Sequence, residues 1–399
     1  MSALARSPSS TWRATDSPNT SPARERVLED RNCCSSDREK SIHASIGRSG
    51  VAPTLRCGVR PGAGSALTPS GASPASLPNI LIRFRLSSRV PDYESWLPVR
   101  FGCSTPFGDV TDLASFVPEF ARAAEERGLD SIWLGEHTHL PVDSKHAYVE
   151  DGRVPDRYKS FPDPWTLLSA AAAVTRDLRL GTAVCLVAEH NPLILAKQIA
   201  TVDQISGGRV EFGVGYGWNK LEMINNGVDP ARKRATFREK MRAIIDLWTQ
   251  EEAEFKGEFV NFSRSWSLPA PVQKPRPPIL IGGSPTPGTF TDIAELADGY
   301  IPVRATLGDE LDDAIARLRV RMSDAGRDPD SLQLTLSHPE TSFGRITMEK
   351  FAARLPDAKR IEHLAELGFG RITCSIPNRD RDLMYRSLDH YAELAEAHR

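Results

Sequence analysis

The sequence predicts an α/β protein: a (β/α)8 TIM barrel over residues 99–399, preceded by a disordered extension over 1–98. Three observations carry this. From Val99 onward, apolar runs of strand length alternate with helical patterns, and the alternation repeats eight times. It fills about 300 residues of one chain, the usual span of a closed barrel. No glycine-rich dinucleotide turn follows the first strand, as an open doubly wound sheet would favour.

The elements follow in order. Val99–Thr105 is the first strand, with a helix at Thr111–Arg127 that carries Pro118 in its first turn and ends at Gly128. Ser131–Gly135 is the second strand, followed by a helix at Pro164–Thr175. Leu178–Val187 is the third, with a helix at Pro192–Ser206 closed by Gly207-Gly208. Arg209–Gly215 is the fourth, with a helix at Arg232–Thr249. Strands at Ile279–Gly282, Tyr300–Val303, Leu332–Ser337 and Arg371–Ile376 follow. Their helices lie at Thr289–Ala297, Asp309–Ala325, Met348–Leu367 and Arg379–His398. Two connections are too long for plain turns: Glu136–Asp163 and Glu251–Pro278. The second contains a hairpin pattern about Lys256-Gly257 and is expected near the open, C-terminal face.

Residues 1–98 are rich in Ser, Arg, Pro and Gly and show no periodicity before Ile80-Leu81-Ile82. Such a stretch buries too little apolar surface to offset its ordering entropy. A disordered extension, an organelle transit peptide and a start site placed too early all fit. Glu25, Glu29, Asp30 and Asp37 weigh against the transit peptide, and the early start is preferred, with the working protein opening at Val99. A net charge of −2 argues against nucleic acid or an anionic membrane as partner. No apolar run reaches the ~18–20 residues of a membrane span. Cys33, Cys34, Cys57, Cys103, Cys185 and Cys374 form no disulfide or zinc pattern, so reduced thiols and a cytoplasmic setting are expected, with no metal.

In such barrels the chemistry sits at the C-terminal ends of the strands. Strand two ends in Gly135-Glu136-His137, with His139 beyond. Strand three leads to Glu189-His190-Asn191, strand four to Gly213-Val214-Gly215-Tyr216-Gly217-Trp218-Asn219, and strand five to Gly282-Gly283-Ser284. His137 can donate, accept or relay a proton, or serve only as a structural hydrogen-bonding group. Glu136 is either part of a buried polar network or a surface acid. The glycines at 213, 215 and 217 allow close approach of a ligand, or relieve crowding between strands. Gly282-Gly283-Ser284 opens toward a helix whose free N–H groups suit a phosphate. The loop after His137 carries Lys145, Tyr148, Arg153, Arg157, Tyr158 and Lys159, as a lid or as a solvated loop.

These segments carry a resemblance. Gly128–His137, Leu178–Val184, Asn191–Arg209, Gly213–Asn219, Pro271–Pro275, Pro278–Gly283 and Ala297–Tyr300 resemble the motifs of the luciferase-like monooxygenase superfamily. Their likeness is greater to its actinobacterial-type, F420-dependent oxidoreductase branch. The resemblance implies a (β/α)8 barrel that transfers hydride between coenzyme F420 and a small organic substrate. As alternatives it admits an FMN-dependent two-component monooxygenase supplied by a separate flavin or F420 reductase, or a flavin-binding protein without turnover. It assigns His137 and Glu136 to catalysis, and Ala183, Val184, Asn191, Gly215, Tyr216, Gly217, Trp218, Asn219, Gly282, Gly283 and Ser284 to the cofactor. It also implies a cis Ala183–Val184 peptide and a homodimer.

Overall fold

The computed structural model of the chain describes residues 99–398 save 106, 108–109, 146–151, 303–308, 338–345 and 379. The 1–98 extension, with Cys33, Cys34 and Cys57, lies outside the described residues, as do Tyr148 and Val303.

In chain order the elements are β1 (Arg100–Ser104), α1 (Leu113–Glu126), β2 (Ser131–Leu134), α2 (Pro164–Ala172), β3 (Arg179–Thr182), α3 (Pro192–Ser206), β4 (Val210–Gly215), α4 (Lys220–Asn225), α5 (Lys233–Thr249), β5 (Ala253–Lys256), β6 (Asn261–Ser265), β7 (Ile279–Gly283), α6 (Pro287–Leu296), β8 (Gly299–Pro302), α7 (Asp309–Asp324), β9 (Gln333–Ser337), α8 (Met348–Ala352), α9 (Ala358–Glu366), β10 (Phe369–Ser375) and α10 (Arg381–Glu396). Eight strands close into a barrel in the order β1-β10-β9-β8-β7-β4-β3-β2. The pairs are parallel, with Cys103 opposite both Ile132 and Cys374. The expected (β/α)8 fold is therefore present.

Helices cover the barrel, so its strands are buried on both faces and read as continuous apolar runs. Each helix turns a periodic stripe inward. Phe116, Phe120, Ala123 and Ala124 of α1 are buried, as are Phe237, Met241, Ile244 and Trp248 of α5. Side-chain caps fix the helix starts: Asp112, Asp163 and Asn191 each accept backbone N–H bonds from the first turn that follows. Gly207 ends α3 at φ 68°, a left-handed position where glycine escapes the Cβ penalty.

Inside the barrel a small apolar cluster of Trp133, Leu280 and Ile301 stands apart from the main core. Toward the N-terminal ends of the strands, Arg371 stacks on Trp133 at 5.2 Å and donates to Glu211 and Asp130. Arg179 also donates to Glu211. Burial opposes the charge of Glu211, but Arg371 and Arg179 overcome it and hold this carboxyl well below the usual range. Polar pairing thus plugs the floor of the barrel.

Four sequence expectations need correction. Pro118 lies six residues into α1, which begins at Leu113. It removes the bond to the carbonyl of Ala114, an exposed residue that water can reach. The helix expected over Met348–Leu367 is two helices, because Pro356 follows α8 and Asp357 caps α9. Strand three ends at Thr182 rather than Val187; the Ala183–Val184 peptide that follows is cis, as the resemblance implied. The connection before β7 leaves the C-terminal end of α5 and so begins on the N-terminal side of the barrel. The turn of its β5–β6 hairpin runs back along α5, where Glu239 accepts the N–H groups of Glu258, Phe259 and Val260.

Candidate active site

At the C-terminal ends of the strands lies a cavity of about 530 Å³, within the size range of cofactor and ligand sites. Its floor is built by Ala183 and Val184, just past β3, between Gly215 of β4 and Gly282 of β7. A Cβ at either glycine would overlap a methyl of Val184, at 2.5 Å from Cγ1 in the case of Gly282. These glycines therefore make room for Val184 and only indirectly for a ligand. A Cβ at Gly213 would likewise meet the Thr182 carbonyl, the crowding role.

His137 lines the cavity beyond β2. Its Nδ1 lies 2.7 Å from Glu222 Oε2, and the other Glu222 oxygen accepts the Thr138 N–H at 2.7 Å. Tyr158, Phe161 and Trp218 surround the imidazole with ring centroids 5.2, 5.2 and 5.3 Å away. Glu136 is buried. It accepts the Leu186 N–H at 2.6 Å and pairs with His190 Nε2 at 2.9 Å. It is thus the buried-network acid of the two readings above, and it pins the segment after β3. Burial lowers the basicity of His190, but the bond to Glu136 outweighs it and keeps the imidazole above its ordinary pKa. Glu136, Cys185 and His190 bring three metal-ligating atoms within 4.8 Å of one another. Burial and then Glu136 push the Cys185 thiol upward, and Glu136 already holds the Leu186 N–H and His190.

The opposite wall is polar. Ser284, Thr286 and Thr289 stand at the start of α6, and Lys233 and Arg234 at the start of α5. Lys233 Nζ donates to the Gly217 carbonyl at 2.8 Å. Burial, then Lys220, depress its pKa. Arg234 is bidentate to Asp292 and also donates to the Gly288 carbonyl. Tyr216 donates its hydroxyl to the same Asp292 at 2.7 Å. A helix start flanked by two cations suits an anion.

Of the sequence-predicted residues, the cavity brings together Glu136, His137, Ala183, Val184, Gly215, Tyr216, Gly217, Trp218, Gly282, Gly283 and Ser284. It does not include Asn191 or Asn219. Asn191 caps α3 through Leu193 and Ile194. Asn219 caps α4 and donates to Ser144 Oγ at 2.8 Å. Both are helix-start asparagines whose oxygens are already occupied. His139 is exposed and bonded to Thr138 and Asn225. Sequence reasoning missed Glu222, Lys233 and Arg234. For Glu222 a signal existed, since Asn219 followed three residues later by a glutamate is a helix-start pattern.

Three comparisons bear on this geometry. A 40% identical stretch of 267 residues, 66% of this chain and 87% of the relative, is shared with an uncharacterised protein of Mycobacterium tuberculosis. The F420-dependent glucose-6-phosphate dehydrogenase of Amycolatopsis mediterranei is 31% identical over 46% of this chain and 51% of its own length. Among solved structures, the FMN-bound oxygenating constituent of 3,6-diketocamphane monooxygenase from Pseudomonas putida shares the fold with a TM-score of 0.57. It is 17% identical, over 74% of this chain and 98% of that one. The family model for luciferase-like monooxygenases matches residues 98–342, a span holding β1 through β9 and every residue named in the cavity. The chain belongs to the luciferase-like monooxygenase family.

Proposed function

We propose that the chain is an F420-dependent oxidoreductase that moves a hydride between the deazaflavin and a small organic substrate, with His137 as acid/base. The observation that carries this is His137, an imidazole in the cavity wall with one nitrogen held by Glu222. The residues present fit the cofactor. Ala183 and Val184, seated over Gly215 and Gly282, offer a floor for a planar ring. Lys233, Arg234, Ser284, Thr286 and Thr289 would hold a phosphate. When bound, the deazaflavin supplies hydride chemistry. The chain orients the reactants, excludes water with Tyr158, Phe161 and Trp218, and handles the proton at His137. Likeness to an F420-dependent dehydrogenase supports the reading. A separate reductase or dehydrogenase would then recycle the cofactor.

The test is to titrate the protein with F420 and with FMN, following fluorescence. Tight F420 binding is expected. In His137→Ala, F420 reduction by a secondary alcohol or by glucose 6-phosphate falls about 10²- to 10⁴-fold, with F420 affinity little changed. Tight binding of FMN alone would replace this reading with a two-component monooxygenase. Binding of neither would refute it.

A further inference from the structure

The two ring nitrogens of His137 have different surroundings. Nδ1 faces Glu222 Oε2 at 2.7 Å, whereas Nε2 remains for the cavity that the ring lines. Glu222 is fully buried on α4. Its Oε1 accepts the Thr138 N–H at 2.7 Å and the Thr138 hydroxyl at 3.2 Å. A backbone N–H only donates, so Oε1 is fixed as an acceptor. With Oε1 so occupied, Oε2 is the oxygen that faces Nδ1 and can take its proton in a hydrogen bond. Nε2 then presents a lone pair.

The backbone that carries the carboxylate is held at both ends of α4. Asn219 caps the helix that carries it. The Asn226 amide donates to the Glu222 carbonyl, to Thr138 Oγ1 and to Glu189 Oε2 at 2.9–3.0 Å. The cations that line the cavity are engaged elsewhere. Lys233 is bonded to Gly217, and Arg234 to Asp292 and Gly288. The described groups around the imidazole are the aromatic rings of Tyr158, Phe161 and Trp218.

We propose that Glu222 is a positioning residue that locks His137 as the Nδ1–H tautomer, so that Nε2 accepts a hydrogen bond from a substrate hydroxyl carried on an apolar or aromatic body. The hydroxyl half rests on the proposed acid/base role of His137. The tautomer half stands without any cofactor.

The test begins with the protein free of ligands and ¹⁵N-labelled at histidine, the His137 signals being those lost in His137→Gln. A protonated Nδ1 and an unprotonated Nε2 are expected at neutral pH. In Glu222→Gln, the Thr138 N–H still claims an oxygen, so the new amide turns its NH2 toward Nδ1. The ring proton then moves to Nε2 and the two nitrogen signals exchange character. A wild-type ring protonated at Nε2 overturns the proposal without any variant, as does a Glu222→Gln ring that keeps its tautomer. For the hydroxyl half, the F420-loaded wild type is given 1-phenylethanol and 2-propanol. Reduction of F420 is expected, lowered about 10²- to 10⁴-fold in Glu222→Gln. Bound F420 with neither alcohol oxidised overturns that half. Failure to bind F420 counts against the function proposed above and leaves the tautomer result standing.

Discussion

Gly282→Ala tests the floor of the cavity directly. The added methyl would stand 2.5 Å from Val184 Cγ1, with the Val214 and Ile301 carbonyls at 3.5 and 3.8 Å. Carbon atoms rest at about 3.5–4.0 Å, so the overlap is about 1 Å. Valine has little χ1 freedom with which to escape, and Gly215 faces it from the other side with no room to give. Overpacking of this kind costs about 1–3 kcal/mol. Val184→Ala alone removes two half-buried methyls, about 1 kcal/mol at ~0.8 kcal/mol per fully buried carbon. In the double variant the clash disappears and most of the Gly282→Ala cost with it. The two substitutions should therefore couple by about 1–2 kcal/mol. Urea unfolding of the four proteins measures this. Additive losses, or a Gly282→Ala protein as stable as the wild type, would refute the claim that Val184 is clasped by its glycines.

Glu211→Gln should cost about 3–5 kcal/mol at neutral pH, because Arg371 and Arg179 lose a buried counter-charge. The Glu211 carboxyl is depressed in the fold, so its contribution is complete above the ordinary glutamate pKa of ~4.3 and fades as pH falls below it. The gap between variant and wild type in urea midpoint must therefore narrow in acid, and a constant gap would count against the pairing. Glu189 behaves oppositely: burial, then the neighbouring Glu222, raise its pKa to about 8. The unfolded chain releases that proton near pH ~4.3, so stability declines as pH rises from there to the folded value. Glu189→Gln should gain on the wild type between about pH 5 and about pH 9 in the same assay. No relative gain would show that Glu189 is ionised in the fold. Asn219→Ala removes the α4 cap and the bond to Ser144. A loss of about 0.5–2 kcal/mol is expected in urea, and an unchanged midpoint would mean α4 is held by its other contacts.

The barrel is legible because its strands are buried on both faces and its helices bury periodic stripes. Both patterns survive in composition alone. Leu178–Val187 shows the limit: hydrophobic character reports burial, and Cys185, Leu186 and Val187 are buried although β3 ends at Thr182. The glycines of β4 and β7 were visible as positions of close approach, but the approaching group is Val184, which sequence order does not reveal. Asn191 and Asn219 look like ligand-binding amides next to strand ends, and helix capping uses the same residue type in the same place. Glu222 escaped notice because α4 spans only six residues, too few for a periodic stripe. Its partner His137 lies 85 positions away. Lys233 and Arg234 read as ordinary solvated charges within the Arg232–Arg234 run, and only the fold turns them toward the cavity.

The plugged floor of the barrel bears on the order of events. With Trp133, Leu280 and Ile301 filling the interior and Arg371 and Glu211 beneath them, the described residues close the lower end of the barrel, and the cavity lies at the other end. Two guests that share such a cavity at different depths form a queue. On the proposed function, a cofactor lying on Val184 would enter before the substrate and leave after it, while the substrate would exchange past Tyr158, Phe161 and Trp218. The exchange of the deeper guest would then be set separately from the rate of each turnover.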